Sequence, residues 1–443
     1  MKLLLKNGTV VHPSVGSVVG LDLLISGHQI KKIGSGIVAS DAITIDVTGK
    51  LVVPGLVDVH VHFREPGQEY KEDISSGSRA AAAGGFTTVI AEPNTIPPID
   101  TAARLRRILA IAERQSVVRY FSKGCISKGM CGRELTAVGK LKEAGARAIS
   151  DDGHWVAGRK LMHNALAKGL ECDILVNPHC EESDLYRQRM AEKRGRQLEL
   201  VSGEPYSAEG GFIERDIELA KVTGARIHIS HVSLASSVRM IARAKSEGVK
   251  ITAEATPHHF TLTREMAGRI GANAKVNPPL RAKEDVEAVR RGLADGTIDI
   301  IASDHAPHAP EEKSVGWEQA PFGIIGLETT LGLVLTYLVR PGTLTLMQAI
   351  EKMTILPARI FGLEGTGIGS LGLGDRADVT VIDPEMKWMV DANAFYSKGR
   401  NCPFHGWELH GKAIMTIIGG QVVMQDGEIM VPHLEHRRGV KPG

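Results

Sequence analysis

The sequence has no long hydrophobic run, little excess charge of either sign and few cysteines. No apolar stretch among its 443 residues reaches the roughly 18 residues that a membrane-spanning helix needs, and the opening segment is too short for a secretory signal. The formal net charge is +2, which argues against a nucleic-acid groove or a surface for acidic lipids. We therefore expect a cytoplasmic protein that binds small molecules, with neither nucleic acid nor membrane as a partner.

The cysteines are too scattered to form the CxxC pairs of a structural zinc site. They are Cys125, Cys131, Cys172, Cys180 and Cys402. Their odd number is consistent with reduced thiols. Cys180 directly follows His179, but adjacent residues on a strand point to opposite faces, so we expect Cys180 to pack in the interior.

The two ends of the chain share a pattern of short apolar strands separated by turns. Near the start, Lys2–Lys6 and Gln29–Ile33 read as strands, with a turn at Gly27-His28. The same pattern returns after Gly374, where Gly419-Gly420 has the composition of a hairpin turn. We predict one small β-sandwich domain built from residues 1–54 and 367–443.

Residues 55–366 alternate strand-like runs with helical patterns. The predicted strands after the first are 87–91, 117–121, 146–150, 174–177, 226–230, 249–253 and 298–302. The predicted helices include 101–114, 134–144, 212–223, 236–247 and 283–295. Eight such units favour an α/β fold, namely a (β/α)8 TIM-like barrel, over an open sheet. Chemistry in such barrels lies at the carboxyl ends of the strands.

Two histidines follow the apolar run Leu51–Val57, which reads as the first strand of the barrel. Because side chains alternate along a strand, His60 and His62 should face the same side, together with Asp58. Imidazole is the commonest ligand of zinc, and Arg64 could hold an anionic substrate beside such a metal. A chance pair among 17 histidines is the alternative, and the motif alone does not decide between them.

Acids and imidazoles also follow four later predicted strands. They are Asp151 and Asp152, His179, His231 and Asp304. Each has an ordinary explanation, because Asp-Asp-Gly is a common turn and a single aspartate can cap a helix. Together they suggest one site, in which four imidazoles and a bridging carboxylate hold two divalent ions and a further carboxylate, Asp304, transfers protons.

These motifs resemble those of bacterial class I dihydroorotases, of the amidohydrolase superfamily. The segments that carry the resemblance are Asp58-Val59-His60-Val61-His62-Phe63-Arg64-Glu65-Pro66-Gly67, Glu92-Pro93-Asn94-Thr95, Ser150-Asp151-Asp152-Gly153, Ala302-Ser303-Asp304-His305-Ala306-Pro307-His308 and Pro321-Phe322-Gly323. The resemblance spans nearly the whole chain. It implies a zinc-dependent, reversible conversion of N-carbamoyl-L-aspartate to L-dihydroorotate and water, in pyrimidine synthesis. A homodimer and a complex with aspartate carbamoyltransferase are further expectations.

Site residues follow from the same resemblance. It implies that His60 and His62 bind one Zn²⁺ and His179 and His231 a second, with Asp152 and a hydroxide between the ions and Asp151 as the alternative bridge. Asp304 resembles a metal ligand and the general base. The expected substrate-binding residues are His62, Arg64, Asn94, Asn277, His308, Phe322 and Gly323. Phe322 and Gly323 would contribute backbone groups to the ring.

Two departures and two rival interpretations accompany this assignment. Glu92 stands where relatives carry an apolar residue, and His154 and Trp155 are bulky for their positions. Dihydropyrimidinases, hydantoinases and allantoinases bridge their metals with a carboxylated lysine, where this chain has Asp-Asp-Gly. An inactive partner that only scaffolds aspartate carbamoyltransferase would have lost metal ligands, whereas the expected ligands are all present in this sequence.

Overall fold

The computed structural model describes residues 2–12, 17–181 and 208–430, and its strands fall into three sheets. The strands are β1 (Lys2–His12), β2 (Ser17–Ser26), β3 (Gln29–Gly34), β4 (Ile43–Asp46), β5 (Leu51–Pro54), β6 (Leu56–Val61), β7 (Phe86–Ala91), β8 (Arg119–Ser122), β9 (Ala148–Ile149), β10 (Leu175–Val176), β11 (Ile227–Ile229), β12 (Ile251–Ala255), β13 (Ile300–Ile301), β14 (Val379–Met389), β15 (Glu408–Ile418), β16 (Gln421–Gln425) and β17 (Glu428–Ile429). Every strand of the middle part except the first begins and ends within two residues of its predicted bounds.

The helices lie mainly between strands β6 and β14. They are α1 (Ile74–Ala83), α2 (Ala102–Gln115), α3 (Val138–Glu143), α4 (Arg159–Glu171), α5 (Ala208–Thr223), α6 (Ala235–Ser246), α7 (Pro257–Thr261), α8 (Arg264–Ile270), α9 (Lys283–Asp295), α10 (Pro310–Lys313), α11 (Thr330–Val334), α12 (Leu346–Lys352) and α13 (Ile355–Ile360). Helix α2 shows why they form: Thr101 caps its first turn, and Leu105, Ile108 and Ala112 recur on one buried face. Among the described residues, no helix combines the length and apolarity needed to cross a membrane.

Strands from both ends of the chain pair in one nine-stranded sheet. Its order is β17-β16-β15-β14-β5-β1-β2-β3, with β4 paired to β1. The two ends meet where β14 runs antiparallel to β5, with Val381 opposite Val52. The predicted hairpin at Gly419-Gly420 is confirmed: both residues have positive φ, as the favoured two-residue turn requires, and Ile418 pairs with Gln421.

The strands of the middle part are all parallel and form a three-stranded and a five-stranded sheet. The first has the order β6-β7-β8 and the second β13-β12-β11-β10-β9. Single parallel bridges join their edges, from Gly124 to Ile149 and from Val61 to His305. Strands β6 and β7 are buried along their whole length, as expected for parallel strands covered on both faces.

The apolar run Leu51–Val57 was wrongly predicted as one strand. Gly55 divides it, so that β5 belongs to the sheet of the chain ends and β6 to the parallel strands. A Cβ at Gly55 would lie 2.1 Å from the hydroxyl oxygen of Thr87, so only glycine fits this crossing. Apolarity marked the segment as buried, and the predicted domain boundary after residue 54 already separated its two halves. Residues 182–207 and 431–443, which the predicted domain bounds include, lie outside the described residues.

Candidate metal centre

Six of the predicted site residues meet at the carboxyl ends of five parallel strands. His60 lies in β6 and His62 directly follows it, while Asp152, His179, His231 and Asp304 come within three residues of the ends of β9, β10, β11 and β13. All six are buried, the most accessible being Asp304 at 8%. The chain thus gathers four imidazoles and two carboxylates, widely separated in sequence, at one end of the sheet.

Asp152 lies at the centre of this cluster. Its Oδ1 is 3.2 Å from His179 Nδ1, 3.3 Å from His60 Nε2 and 3.4 Å from His231 Nε2, and its Oδ2 is 3.5 Å from His62 Nε2. Burial opposes ionisation of this carboxyl, but the charge of His60 and hydrogen bonds from the imidazoles hold its pKa well below the usual range. Asp152 is therefore a carboxylate that all four predicted imidazoles face.

Asp151, the alternative bridging residue, points away from the histidines. Its Oδ1 accepts backbone N–H bonds from Ile126 at 2.8 Å and Ser127 at 3.1 Å, and the Ser127 hydroxyl donates to Oδ2. These bonds fix the start of the turn that presents Asp152. The geometry favours Asp152 as the central carboxylate.

Asp304 faces the centre from the opposite side. Its Oδ1 is 3.1 Å from His62 Nε2 and 3.6 Å from His60 Nε2. Burial would raise the pKa of this carboxyl, but the neighbouring histidines His60 and His62 hold it well below its ordinary value. Two sets of three residues bring their ligand atoms within 4.8 Å of one another: His60, His62 and Asp304, and His60, Asp152 and His231.

The hydrogen bonds of His60 and His62 determine which ring nitrogens face the carboxylates. His60 Nδ1 lies 2.5 Å from Glu254 Oε1, and His62 Nδ1 lies 2.9 Å from Asn94 Oδ1, so both Nδ1 atoms donate outward. His60 Nε2 is buried and makes no hydrogen bond within the described chain. A buried imidazole nitrogen that has no hydrogen-bond partner and is surrounded by carboxylates fits a bound divalent cation.

Glu254 was missed by the sequence analysis. It lies in β12, and its Oε2 accepts a hydrogen bond from His228 Nε2 at 3.1 Å while Oε1 holds His60. A carboxylate that orients a metal-binding imidazole is a common outer partner of such sites. A single acid within the apolar strand Ile251–Ala255 was the available signal, because a buried charge requires a partner.

A cationic pocket adjoins these residues. Arg64 Nε donates to the Pro307 carbonyl at 3.1 Å, and Arg64 Nη2 lies 3.4 Å from His308 Nε2, which contacts the Phe322 carbonyl at 2.8 Å. Lys71, which the sequence analysis missed, places Nζ 3.4 Å from His308 Nδ1. Burial and then the charges of Arg64 and Lys71 lower the pKa of His308 to about 2, so the imidazole is neutral between two cations.

The polar groups of two further predicted substrate residues, Asn277 and Gly323, already make hydrogen bonds within the protein. Asn277 donates through Nδ2 to His179 Nε2 at 3.0 Å. The Gly323 N–H donates to the Lys275 carbonyl at 2.9 Å, and the Gly323 carbonyl accepts from Asn401 Nδ2 at 3.0 Å. Both backbone groups of Gly323 are therefore engaged within the protein, and their predicted use by a ligand stays a prediction.

Comparisons with known proteins place this site in a family. Residues 51–423 match the family model described as the amidohydrolase family. The chain belongs to the amidohydrolase family. The resemblance inferred from the motifs is thereby confirmed.

Curated relatives within the family are dihydroorotases. That of Pelotomaculum thermopropionicum is 49% identical over 96% of this chain and 99% of the relative, and that of Citrifermentans bemidjiense is 46% identical over 96% and 100%. Among solved structures, the L-hydantoinase of Arthrobacter aurescens has a TM-score of 0.89 at 28% identity, covering 97% of each chain. The α/β fold is thus that of amidohydrolases.

The departures from the amidohydrolase motifs have different environments. His154 is exposed and Trp155 is half-buried, so neither enters the cluster of ligands. Glu92 is buried beside that cluster and forms an ion pair with Lys123. Of the two departures, only Glu92 changes the charge near the centre.

Three site residues other than glycine have left-handed backbone conformations. The φ angles are 59° at Arg64, 33° at His231 and 47° at Asp304. Such conformations are unfavourable for residues with a Cβ, and they concentrate at functional sites where surrounding contacts enforce them. Here each left-handed residue follows a strand and turns its side chain into the site.

Proposed function

We propose that the protein is a dihydroorotase, which interconverts N-carbamoyl-L-aspartate and L-dihydroorotate with the uptake or release of water. The observation that carries the proposal is the adjacency of two unlike groups of side chains. Asp152 is enclosed by four imidazoles, and the guanidinium of Arg64 begins a cationic pocket only two residues after His62. A cyclic amide that carries a carboxylate matches this pair.

The proposed cofactor is a pair of zinc ions. His60, His62 and Asp304 would hold one and His179 and His231 the other, with Asp152 shared between them. The unpartnered Nε2 of His60 and the mixed nitrogen and oxygen donors fit this group. When bound, such ions lower the pKa of water towards about 7 and polarise a carbonyl.

Asp304 is proposed as the general base and acid. In hydrolysis it takes a proton from the attacking water and returns it to the ring nitrogen as the amide bond breaks. Ring closure uses the same carboxyl in reverse. His60 and His62 hold the pKa of Asp304 below its usual range, so the group is an ionised carboxylate, which is the form a general base requires.

Arg64 is proposed to hold the carboxylate that does not react. A guanidinium can donate two parallel hydrogen bonds to a carboxylate. Neutral His308 lies beside it, with its single N–H directed at the Phe322 carbonyl. Asn94 and Asn277 would contact the substrate from the ends of other segments. The Oδ1 atom of Asn277 is buried and has no partner among the described residues, which supports a role as acceptor for a substrate N–H.

A hydantoinase or dihydropyrimidinase is the rival assignment, because solved structures with these activities share the fold. Those substrates lack the carboxylate of dihydroorotate, so the cationic pocket would serve no purpose. A panel of dihydroorotate, dihydrouracil, hydantoin and allantoin, assayed with and without chelator, separates the two. We expect chelator-sensitive turnover of dihydroorotate alone; preferential turnover of dihydrouracil or hydantoin would refute the assignment.

The finer architecture belongs to the same proposal. The two parallel sheets, bridged at both edges, are consistent with a closed (β/α)8 barrel over residues 55–366. Strands of the nine-stranded sheet contribute a cluster of buried apolar side chains, which is consistent with a β-sandwich. The cluster includes Leu5, Ile25, Val379 and Ile417. These domain bounds, a homodimer, a complex with aspartate carbamoyltransferase and a cytoplasmic location remain predictions.

A further inference from the structure

Glu92 and Lys123 form an ion pair from which solvent is excluded, directly beside the candidate metal centre. Both side chains have no exposed surface. Glu92 follows β7, Lys123 follows β8, and the Lys123 ammonium also lies 5.3 Å from the centre of the Phe361 ring. Burying two charges is expensive, and many proteins are as stable with apolar residues in their place. The pair therefore calls for a reason other than stability.

The carboxylate of Glu92 approaches the nitrogen of His60 that faces the ligands. Its Oε1 is 3.7 Å from His60 Nε2, close to the 3.6 Å that separates the same nitrogen from Asp304 Oδ1. Glu92 Oε2 is buried and has no partner among the described residues. A negative charge that solvent cannot screen thus lies against the histidine that belongs to both groups of ligands.

Lys123 connects the same charge to the opposite side of the centre. Its ammonium donates to Asn177 Oδ1 as well as to Glu92. Asn177 in turn donates through Nδ2 to the His228 carbonyl at 2.9 Å and to Ser230 Oγ at 2.7 Å. Asn177 and Ser230 immediately precede the segments that carry His179 and His231, so one lysine spans the strand ends beneath the site.

We propose that Glu92 and Lys123 are a compensated charge pair that sets the affinity of the centre for divalent cations. This inference rests on the metal centre of the proposed function. Glu92 attracts a cation bound at His60, and Lys123 fixes that carboxylate while offsetting its charge. Both are positioning residues, since neither is placed on the substrate. Loss of the two charges one at a time should shift metal affinity in opposite directions.

The test measures Zn²⁺ affinity of the full-length protein, stripped of metal and titrated in competition with a chromophoric chelator. Glu92→Gln keeps the side-chain shape but leaves the Lys123 cation uncompensated, so affinity should fall by about 10–100-fold. Lys123→Met leaves the Glu92 carboxylate uncompensated, so Zn²⁺ affinity should rise. The double variant, with both charges removed, should return to within about threefold of the wild type.

The control is Arg119→Met, which breaks a partly buried ion pair with Asp378 away from the centre. It should lower thermal stability and leave Zn²⁺ affinity unchanged. A merely structural role for Glu92 and Lys123 would instead weaken metal binding in both single variants, and that result would overturn the inference. A change in Zn²⁺ affinity of less than about threefold in Glu92→Gln would also overturn the inference.

Two further outcomes are distinguishable. If Lys123→Met does not fold, Glu92→Gln and the double variant decide the question, because only a charge effect restores affinity when the second charge is removed. If the wild type itself binds no Zn²⁺, the proposed metal centre is refuted. If the wild type binds Zn²⁺ and the variants bind it with the same affinity, only this inference is refuted.

Discussion

The candidate site has two halves of opposite electrostatic character that begin in the same short segment. His60 and His62 open the half rich in carboxylates and imidazoles, and Arg64 opens the cationic half. In the first half, side chains from distant strand ends contact one another. In the second, Arg64 donates to the Pro307 carbonyl and Lys313 to the Pro321 carbonyl, while Lys71 pairs with Glu312 at 2.9 Å.

This difference indicates what each half is built to bind. Backbone carbonyls fix a cation in place without neutralising it, so the charge of Arg64 remains available for an anion. Buried carboxylates and imidazoles that face one another offer the mixed oxygen and nitrogen donors that a divalent cation takes. Each half is incomplete alone, and the reacting carbonyl of a carboxylated cyclic amide would lie between them.

We expect the largest loss of activity from a substitution in the half of the site that is rich in carboxylates. Asp304→Asn keeps the side-chain volume but removes the proposed proton acceptor, so kcat should fall by about 10²–10⁴-fold in both directions. Steady-state rates with dihydroorotate and with carbamoyl aspartate measure this, and Zn²⁺ content checks that the centre is intact. Full turnover by the variant in either direction would eliminate the role of Asp304.

Arg64→Met should break the cationic half selectively. The loss of a bidentate charged contact worth about 3 kcal/mol predicts a decrease of roughly 100-fold in kcat/KM for dihydroorotate. Zn²⁺ affinity should not change, because Arg64 is not among the proposed ligands. The unchanged Zn²⁺ affinity is the internal control; an undiminished kcat/KM for dihydroorotate would contradict the assignment.

Glu254→Gln should act through His60, which donates to Oε1, and through the His231 backbone N–H, which lies 3.4 Å from the same oxygen. The amide is a weaker acceptor for His60 Nδ1, so we expect Zn²⁺ affinity to fall by about tenfold or more. Competitive titration with a chelator measures it. Thr252→Val, which removes the hydroxyl 2.8 Å from His228 Nδ1 but leaves Glu254 in place, is the matched control. Equal affinities of all three proteins would disprove the orienting role.

The smallest effect concerns the support of the cationic half. Glu328 accepts backbone N–H bonds from Tyr396 and Ser397, next to the segment in which Asn401 Oδ1 accepts the His308 N–H. Burial raises the pKa of Glu328 to about 8, above its ordinary value of 4.5. Between these values the folded chain binds more protons than the unfolded chain, so stability should fall as pH rises through that range.

Glu328→Gln removes this titrating carboxyl, so the stability of the variant should fall less than that of the wild type as pH rises. Thermal unfolding midpoints of both proteins across that pH interval provide the measurement. Parallel curves for the variant and the wild type would show that the carboxyl is already ionised in the folded protein near neutral pH.

Much of this molecule could be predicted from the sequence because alternation and periodicity report burial directly. Helix Lys283–Asp295 has its predicted bounds, and the predicted ligands His60, Asp152 and Asp304 lie together. Strand ends of a parallel sheet bring distant motifs to one edge, so a list of polar residues after strands is already a description of a site.

The residues that could not be predicted are single charges without a motif. Glu254 and Lys123 lie in or beside apolar strands, where the sequence gives no indication of which distant partner they will find. Lys71 falls in a loop, where a lysine is ordinarily exposed. The resemblance already favoured Asp152 over Asp151, and the structure adds a contact that the sequence does not show: the backbone N–H of Ser127 donates to Asp151.

The left-handed backbone at Arg64, His231 and Asp304 has a consequence for engineering. A stabilisation campaign that scores backbone conformation would substitute glycine at all three, since glycine adopts positive φ without a steric penalty. Each exchange would remove a side chain that the site requires. Three of the seven described non-glycine positions with positive φ are therefore ones that a designer should keep fixed.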